Sequence, residues 1–117
     1  MKRGDLVTVA LSGDYGKPRP ALIVQSDAFQ FHPSVTLLPL TSDTSDASLV
    51  RVTVFPEKGT GLNKLSQVMI DKAATLSRLK VGRRIGSVNA LTLRAVEAAL
   101  LRFLGLGPEE QGLQDSF

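Results

Sequence analysis

The apolar residues of this chain fall into short runs rich in β-branched side chains, separated by dense turn signals, and only one stretch, near the end, carries the spacing of a helix. Residues 5–10 and 21–26 make a first strand pair around the turn-rich Ser12 to Pro18. Val35 to Leu40 and Leu49 to Phe55 repeat the pattern, with a Ser-, Thr- and Asp-rich loop between them. Gln67 to Ile70 is a further short strand, and Arg84 to Val88 leads into the helix. That helix starts where Asn89 can cap the free N–H groups, runs to Leu104 and stops at Gly105-Leu106-Gly107-Pro108. Leu93, Val96, Leu100, Phe103 and Leu104 form its expected buried stripe, with Leu101 on the polar side. Short strands followed by one terminal helix predict a small twisted barrel with the helix laid against it.

At 117 residues, 43% hydrophobic and 21% charged, the chain has room for one core and not for two ordinary domains. With no Cys and no Trp, a disulfide framework and a thiolate metal site are excluded. Charge in the opening Met1-Lys2-Arg3-Gly4-Asp5, and the lack of any long apolar run, predict a soluble, unexported, cytoplasmic protein. A net charge of +3 permits a polyanionic partner without demanding one. Lys17, Arg19, Lys72, Arg78, Lys80, Arg83 and Arg84 come from loops and strand ends, and their convergence would make a phosphate-binding surface.

The segment Gly13-Asp14-Tyr15-Gly16-Lys17-Pro18-Arg19-Pro20, running into the apolar Ala21 to Gln25, resembles the signature of the MazF/PemK toxins. Further stretches agree in order: Met1 to Val7, Leu38-Pro39-Leu40-Thr41-Ser42, Gly61 to Lys72, and Gly82-Arg83-Arg84-Ile85-Gly86 before the helix. The resemblance implies a mainly β fold of the SH3-like barrel type with a C-terminal helix, as one toxin domain over residues 1–107; the polar tail 108–117 is expected to be flexible. It implies a homodimer, no membrane and no cofactor. It also implies cleavage of single-stranded RNA at short recognition sequences, and an acidic antitoxin whose segment covers the RNA groove.

Metal-free RNA cleavage uses the ribose 2′-OH as nucleophile, so the protein need supply only a proton acceptor, a donor for the leaving oxygen and charge for the phosphorane. Arg19 suits the last task, because a guanidinium holds two phosphate oxygens and keeps its charge. As a residue by itself it is equally a solvated strand-end Arg; the resemblance selects the phosphate role. Thr41 matches the family's catalytic-loop Thr, with Ser42 beside it as a substrate contact, although such residues commonly cap turns. Asp71 corresponds to the Asp that some members use as general base, in a pattern that often has Arg two positions earlier, where this chain has Met69. It reads equally as a structural acid paired with Lys72 or Arg78. The loop carrying Gly13, Tyr15 and Lys17 either closes over RNA, with Tyr15 available for base stacking, or is an ordinary hairpin loop. Gln67, Met69 and Lys72 complete the implied substrate surface, while the single His, His32, stays outside it. Two other readings share the architecture: a CcdB-like gyrase poison, disfavoured by the missing Trp, and a catalytically silent SH3-like peptide module.

Overall fold

A computed structural model of the chain describes residues 1–11, 17–45 and 50–106. Seven strands, three short 3-10 turns and one helix follow one another: β1 (Asp5–Val9), β2 (Arg19–Ile23), β3 (Ser34–Thr41), β4 (Arg51–Val54), β5 (Ser66–Met69), β6 (Ala74–Ser77), β7 (Val81–Ser87) and α1 (Ala90–Leu104). The strands are antiparallel in the order β4-β5-β3-β2-β1-β7, with β6 also paired to β3. The architecture is the expected mainly β one with a C-terminal helix, but the sheet does not close: β4 and β7 remain its ends. Strand β6 was not legible as a strand in the sequence, and β7 begins three residues before the expected Arg84. Both are half-exposed and carry Thr, Ser, Gly and Arg, so neither shows the apolar run that marks the inner strands.

The inner strands are apolar on both faces, because both faces are covered. Leu6, Leu22, Leu38, Leu40, Val68 and Ile70 pack with Val96 and Ala99 of the helix, while Val7, Val9, Ala21, Ile23, Val35 and Leu37 form a second cluster roofed by Leu76 and Val81. Strand alternation does this directly: Leu6 and Val7, or Leu37 and Leu38, point to opposite sides. A polar residue closes one connection. The Gln25 amide donates to the carbonyls of Phe29 and Ser34, both at 3.1 Å, and accepts the Thr36 N–H at 3.0 Å, tying the β2–β3 turn to the strands.

The helix has the expected ends. Asn89 Oδ1 accepts the Thr92 N–H at 2.8 Å, and Gly105, at φ 69°, turns the chain so that its own N–H reaches Arg102 O and the Leu106 N–H reaches Leu101 O at 2.9 Å. Its buried stripe is shorter than the spacing predicts. Val96 and Ala99 are buried and Leu93 and Leu100 half-buried, but Phe103 and Leu104 are exposed, since no core residue covers the last turn. Among the described residues no helix is long and apolar enough to cross a membrane.

The β7 end is fixed by a close backbone approach. Gly86 is buried, the neighbouring Ser87 N–H donates to Gly59 O at 2.9 Å, and a Cβ on Gly86 would strike the carbonyls of Thr60 and Gly59. At Gly82 a Cβ would meet the Thr8 hydroxyl first and come within 3.0 Å of the Thr8 carbonyl, so the worst clash there falls on a side-chain atom rather than on backbone. Gly86→Ala is therefore expected to destabilise by about 1–3 kcal/mol, as overpacking against fixed atoms does. Thermal melting should show a fall of several degrees for Gly86→Ala and a clearly smaller one for Gly82→Ala; equal effects would contradict this packing.

Candidate active site

Three chain segments deliver the candidate residues to one end of the sheet. Arg19 opens β2 opposite Val9, Thr41 ends β3 opposite Gln67, and β5 runs straight into a 3-10 turn, Ile70–Lys72. That turn is anchored by the fully buried Ile70, whose N–H donates to Val50 O at 2.9 Å. The anchor leaves Asp71 and Lys72 at the mouth. A cavity of about 370 Å³ results, lined by Leu11, Arg19, Pro39, Leu40, Thr41, Met69 and Lys72.

Within it the Thr41 hydroxyl is already oriented. Its Oγ1 accepts the Asp43 N–H at 3.1 Å, which leaves the hydroxyl proton free to donate elsewhere. Asp43 in turn accepts from Ser45 N at 3.1 Å and from Ser45 Oγ at 2.7 Å. Those two bonds, with a smaller contribution from Arg51, hold the Asp43 carboxyl below its ordinary value.

Asp71 lies beside the cavity. Its Oδ2 is 4.0 Å from Lys72 Nζ and its Oδ1 is 3.8 Å from Arg51 Nε, with the side chain about a quarter exposed. The pairing with Lys72 matches one of the two readings of Asp71; Arg78 is not its partner. Arg51 is a residue the sequence did not single out. It faces Met69 directly across the β4–β5 ladder, and so a guanidinium reaches Asp71 from the neighbouring strand where none precedes it in its own. Only the strand register reveals this. Arg51 stands inside a run read as an ordinary strand.

Other expected contacts are distributed differently. Ser42 is exposed next to Thr41 but faces a second cavity rather than the first. Met69 and Lys72 line the first, whereas Gln67 is only 7% exposed and lies beneath it, with little surface to offer a substrate. Lys17 is exposed; Gly13 and Tyr15 fall outside the described residues, as do 107–117. The basic residues converge only in part. Arg19 and Lys72 share a wall, but Arg78 donates to His32 O at 2.8 Å at the opposite end of β3, and Arg84 is paired with Asp5 at 3.1 Å. Eight residues of strand separate the two ends by about 23 Å.

The family profile of PemK-like, MazF-like toxins of type II toxin–antitoxin systems matches residues 2–104. A probable endoribonuclease MazF of Mycolicibacterium smegmatis is 43% identical over 107 residues, covering 91% of this chain and 98% of that protein. The structure of Mycobacterium tuberculosis toxin MazF-mt6 superposes with a TM-score of 0.76 at 28% identity, over 88% of this chain and 98% of that one. An endoribonuclease in complex with its cognate antitoxin, from mycobacterial species, gives 0.78 at 27% identity, over 92% and 97%. The matched residues include every strand, helix α1, and the Arg19, Thr41 and Lys72 cavity, and the chain accordingly belongs to the PemK-like, MazF-like toxins of type II toxin–antitoxin systems.

Proposed function

We propose that this toxin is a metal-independent, sequence-selective endoribonuclease that cuts single-stranded RNA by attack of a ribose 2′-OH on the adjacent phosphorus. The carrying observation is that Arg19, Thr41 and Lys72 line one cavity in a chain closely similar to an endoribonuclease. Arg19 grips the phosphate and, with Lys72, balances the charge that grows on the phosphorane. The Thr41 O–H donates to a phosphate oxygen or aligns the 2′-OH; as a base it is far too weak to act alone. Asp71, held between Arg51 and Lys72, takes the 2′-OH proton. The 2′-oxygen bonds to phosphorus, the bond to the 5′-oxygen breaks and that oxygen takes a proton from water, while Asp71 returns the 2′-OH proton to solvent. The products are a 2′,3′-cyclic phosphate and a 5′-hydroxyl. Cations and the substrate's own hydroxyl thus cover the tasks a metal performs elsewhere.

The reading extends to partners. Residues 1–107 form a single toxin domain acting in the cytoplasm. An acidic antitoxin segment would occupy the Arg19 and Lys72 surface in place of RNA, as charge complementarity favours. A second copy would cover the end of α1, where Leu101, Phe103, Leu104 and Leu106 are about half exposed together.

Cleavage of a fluorogenic RNA should survive excess EDTA and leave cyclic phosphate ends; activity lost on chelation and restored by magnesium would refute the mechanism. Arg19→Ala should lower the rate roughly a hundredfold or more, as loss of a transition-state donor does. Arg19→Lys should also lose most of it, since the charge remains but the fork does not. Because Arg19 is exposed, both variants should melt within a few degrees of the parent, and a fully active Arg19→Ala would exclude the role given to it. Light scattering at micromolar concentration should report a dimer, and a monomer would remove the second copy from this account.

A further inference from the structure

Arg19 also lines a second cavity. Sharing Arg19 and Leu40 with the first is a space of about 210 Å³ also bounded by Pro20, Ser42, Leu62, Asn63 and Lys64, which the proposed phosphate chemistry does not use. Leu62 is half-buried against the main core, which makes that wall rigid and apolar. The segment behind it is held by its own bonds. The buried Thr60 donates its N–H and its hydroxyl to Glu57 O, at 3.1 and 2.8 Å; its Oγ1 accepts the Leu62 N–H at 3.2 Å, and Ser66 Oγ donates to Lys64 O at 3.0 Å.

The side-chain amides of this protein are used unequally. The Gln25 amide is spent on three backbone groups and Asn89 on the helix cap, whereas the Asn63 amide makes no hydrogen bond within the described residues. An amide that offers a donor and an acceptor side by side, on a rigid rim, is the group that reads the edge of an unpaired base. Lys64 beside it is an exposed cation without an ion pair among the described residues, a contact for phosphate but not for sequence.

Chain geometry of RNA links the two cavities. One phosphodiester joins two nucleosides, so a phosphate gripped by Arg19 sends one base toward each side. We propose that the cavity between Pro20 and residues 62–64 is a subsite for the base of one nucleotide adjoining the cleaved bond, and that Asn63 determines which base is accepted there. The inference rests on the RNA-cleaving reading and names a residue that sets its sequence preference. Arg19 and Leu40 line both cavities, and Ser42, next to Thr41 in the chain, lines the second, so a seated base lies beside the group that grips the phosphate.

The test is cleavage-site mapping on a long RNA with the purified full-length protein, its Asn63→Asp, Asn63→Ala and Lys64→Ala variants, and melting curves for each. Asn63→Asp replaces the donor with an acceptor and should change the preferred base at one position next to the cut, while Asn63→Ala should relax that position by roughly tenfold or more, as loss of a paired base contact does. Preference at other positions should hold. Lys64→Ala should weaken cleavage evenly across sequences and leave preference unaltered. Unchanged preference in both Asn63 variants, or a uniform loss at all sites, would overturn the subsite while leaving the nuclease intact. Absence of RNA cleavage by the parent protein would instead overturn the underlying function. Asn63 is exposed, so all variants should fold and melt near the parent.

Discussion

Strand β3 changes its neighbour partway along, and the rest of the structure depends on that change. Along one edge it bonds to β2 from Leu37 to Pro39; along the other it bonds to β6 from Ser34 to Leu37 and then to β5 at Leu40 and Thr41. Pro39 sits in the gap between the two outer partners, where a residue without an N–H forfeits least. The switch lets one strand serve both apolar clusters, with Leu37 in one and Leu38 and Leu40 in the other. It also ends β3 beside β5 at Thr41, and β5 leads directly to Asp71 and Lys72. A core constraint therefore brings three separate segments to one mouth.

Much of this was legible in the sequence because local chemistry agreed with the fold. The Asn89 cap and the Gly105 stop bound the helix as expected, and the inner strands announce themselves by β-branched and apolar runs. What escaped depends on tertiary pairing. Strand β6 was missed because Thr75 and Ser77 look like loop, although Thr36 and Thr75 join across the ladder by a 2.7 Å hydroxyl contact. Phe103 and Leu104 were placed inside by helical spacing alone, which says which face they share but not whether core residues cover it there. The site divides in the same way. Arg19, Thr41 and Lys72 were found through motif resemblance, and their convergence on one cavity is a fact of topology. Arg51 could not be found without the register that sets it against Met69.

Arg51 shows why motif departures need a structure to interpret. Read along the chain, Met69 two positions before Asp71 removes a cation from the neighbourhood of that carboxylate. Read across the ladder, the adjacent strand returns one at 3.8 Å, with an Arg side chain only 14% exposed. A separation of that length is an electrostatic contact rather than a hydrogen bond. It places a guanidinium beside the carboxylate without engaging either oxygen in a hydrogen bond at that distance. The apolar Met69 side chain meanwhile lines the cavity itself, where a basic residue would add a third cation to Arg19 and Lys72.

The same contrast separates chemistry from selectivity. The groups assigned to bond breaking are few and sit at strand ends fixed by buried neighbours: Ile70 beneath Lys72, Leu40 beneath Thr41, Ala21 and Leu22 behind Arg19. The groups left for base choice lie on the connection between Phe55 and Ser66, which packs on β7 through Gly59, Thr60 and Gly86 but carries no strand of its own. Connections of this kind tolerate replacement at their exposed positions while the backbone beneath stays fixed. On the proposed reading, a scaffold built this way can change base choice at Asn63 without disturbing Arg19, because Leu62 and Thr60 hold the backbone between the exposed rim and the core.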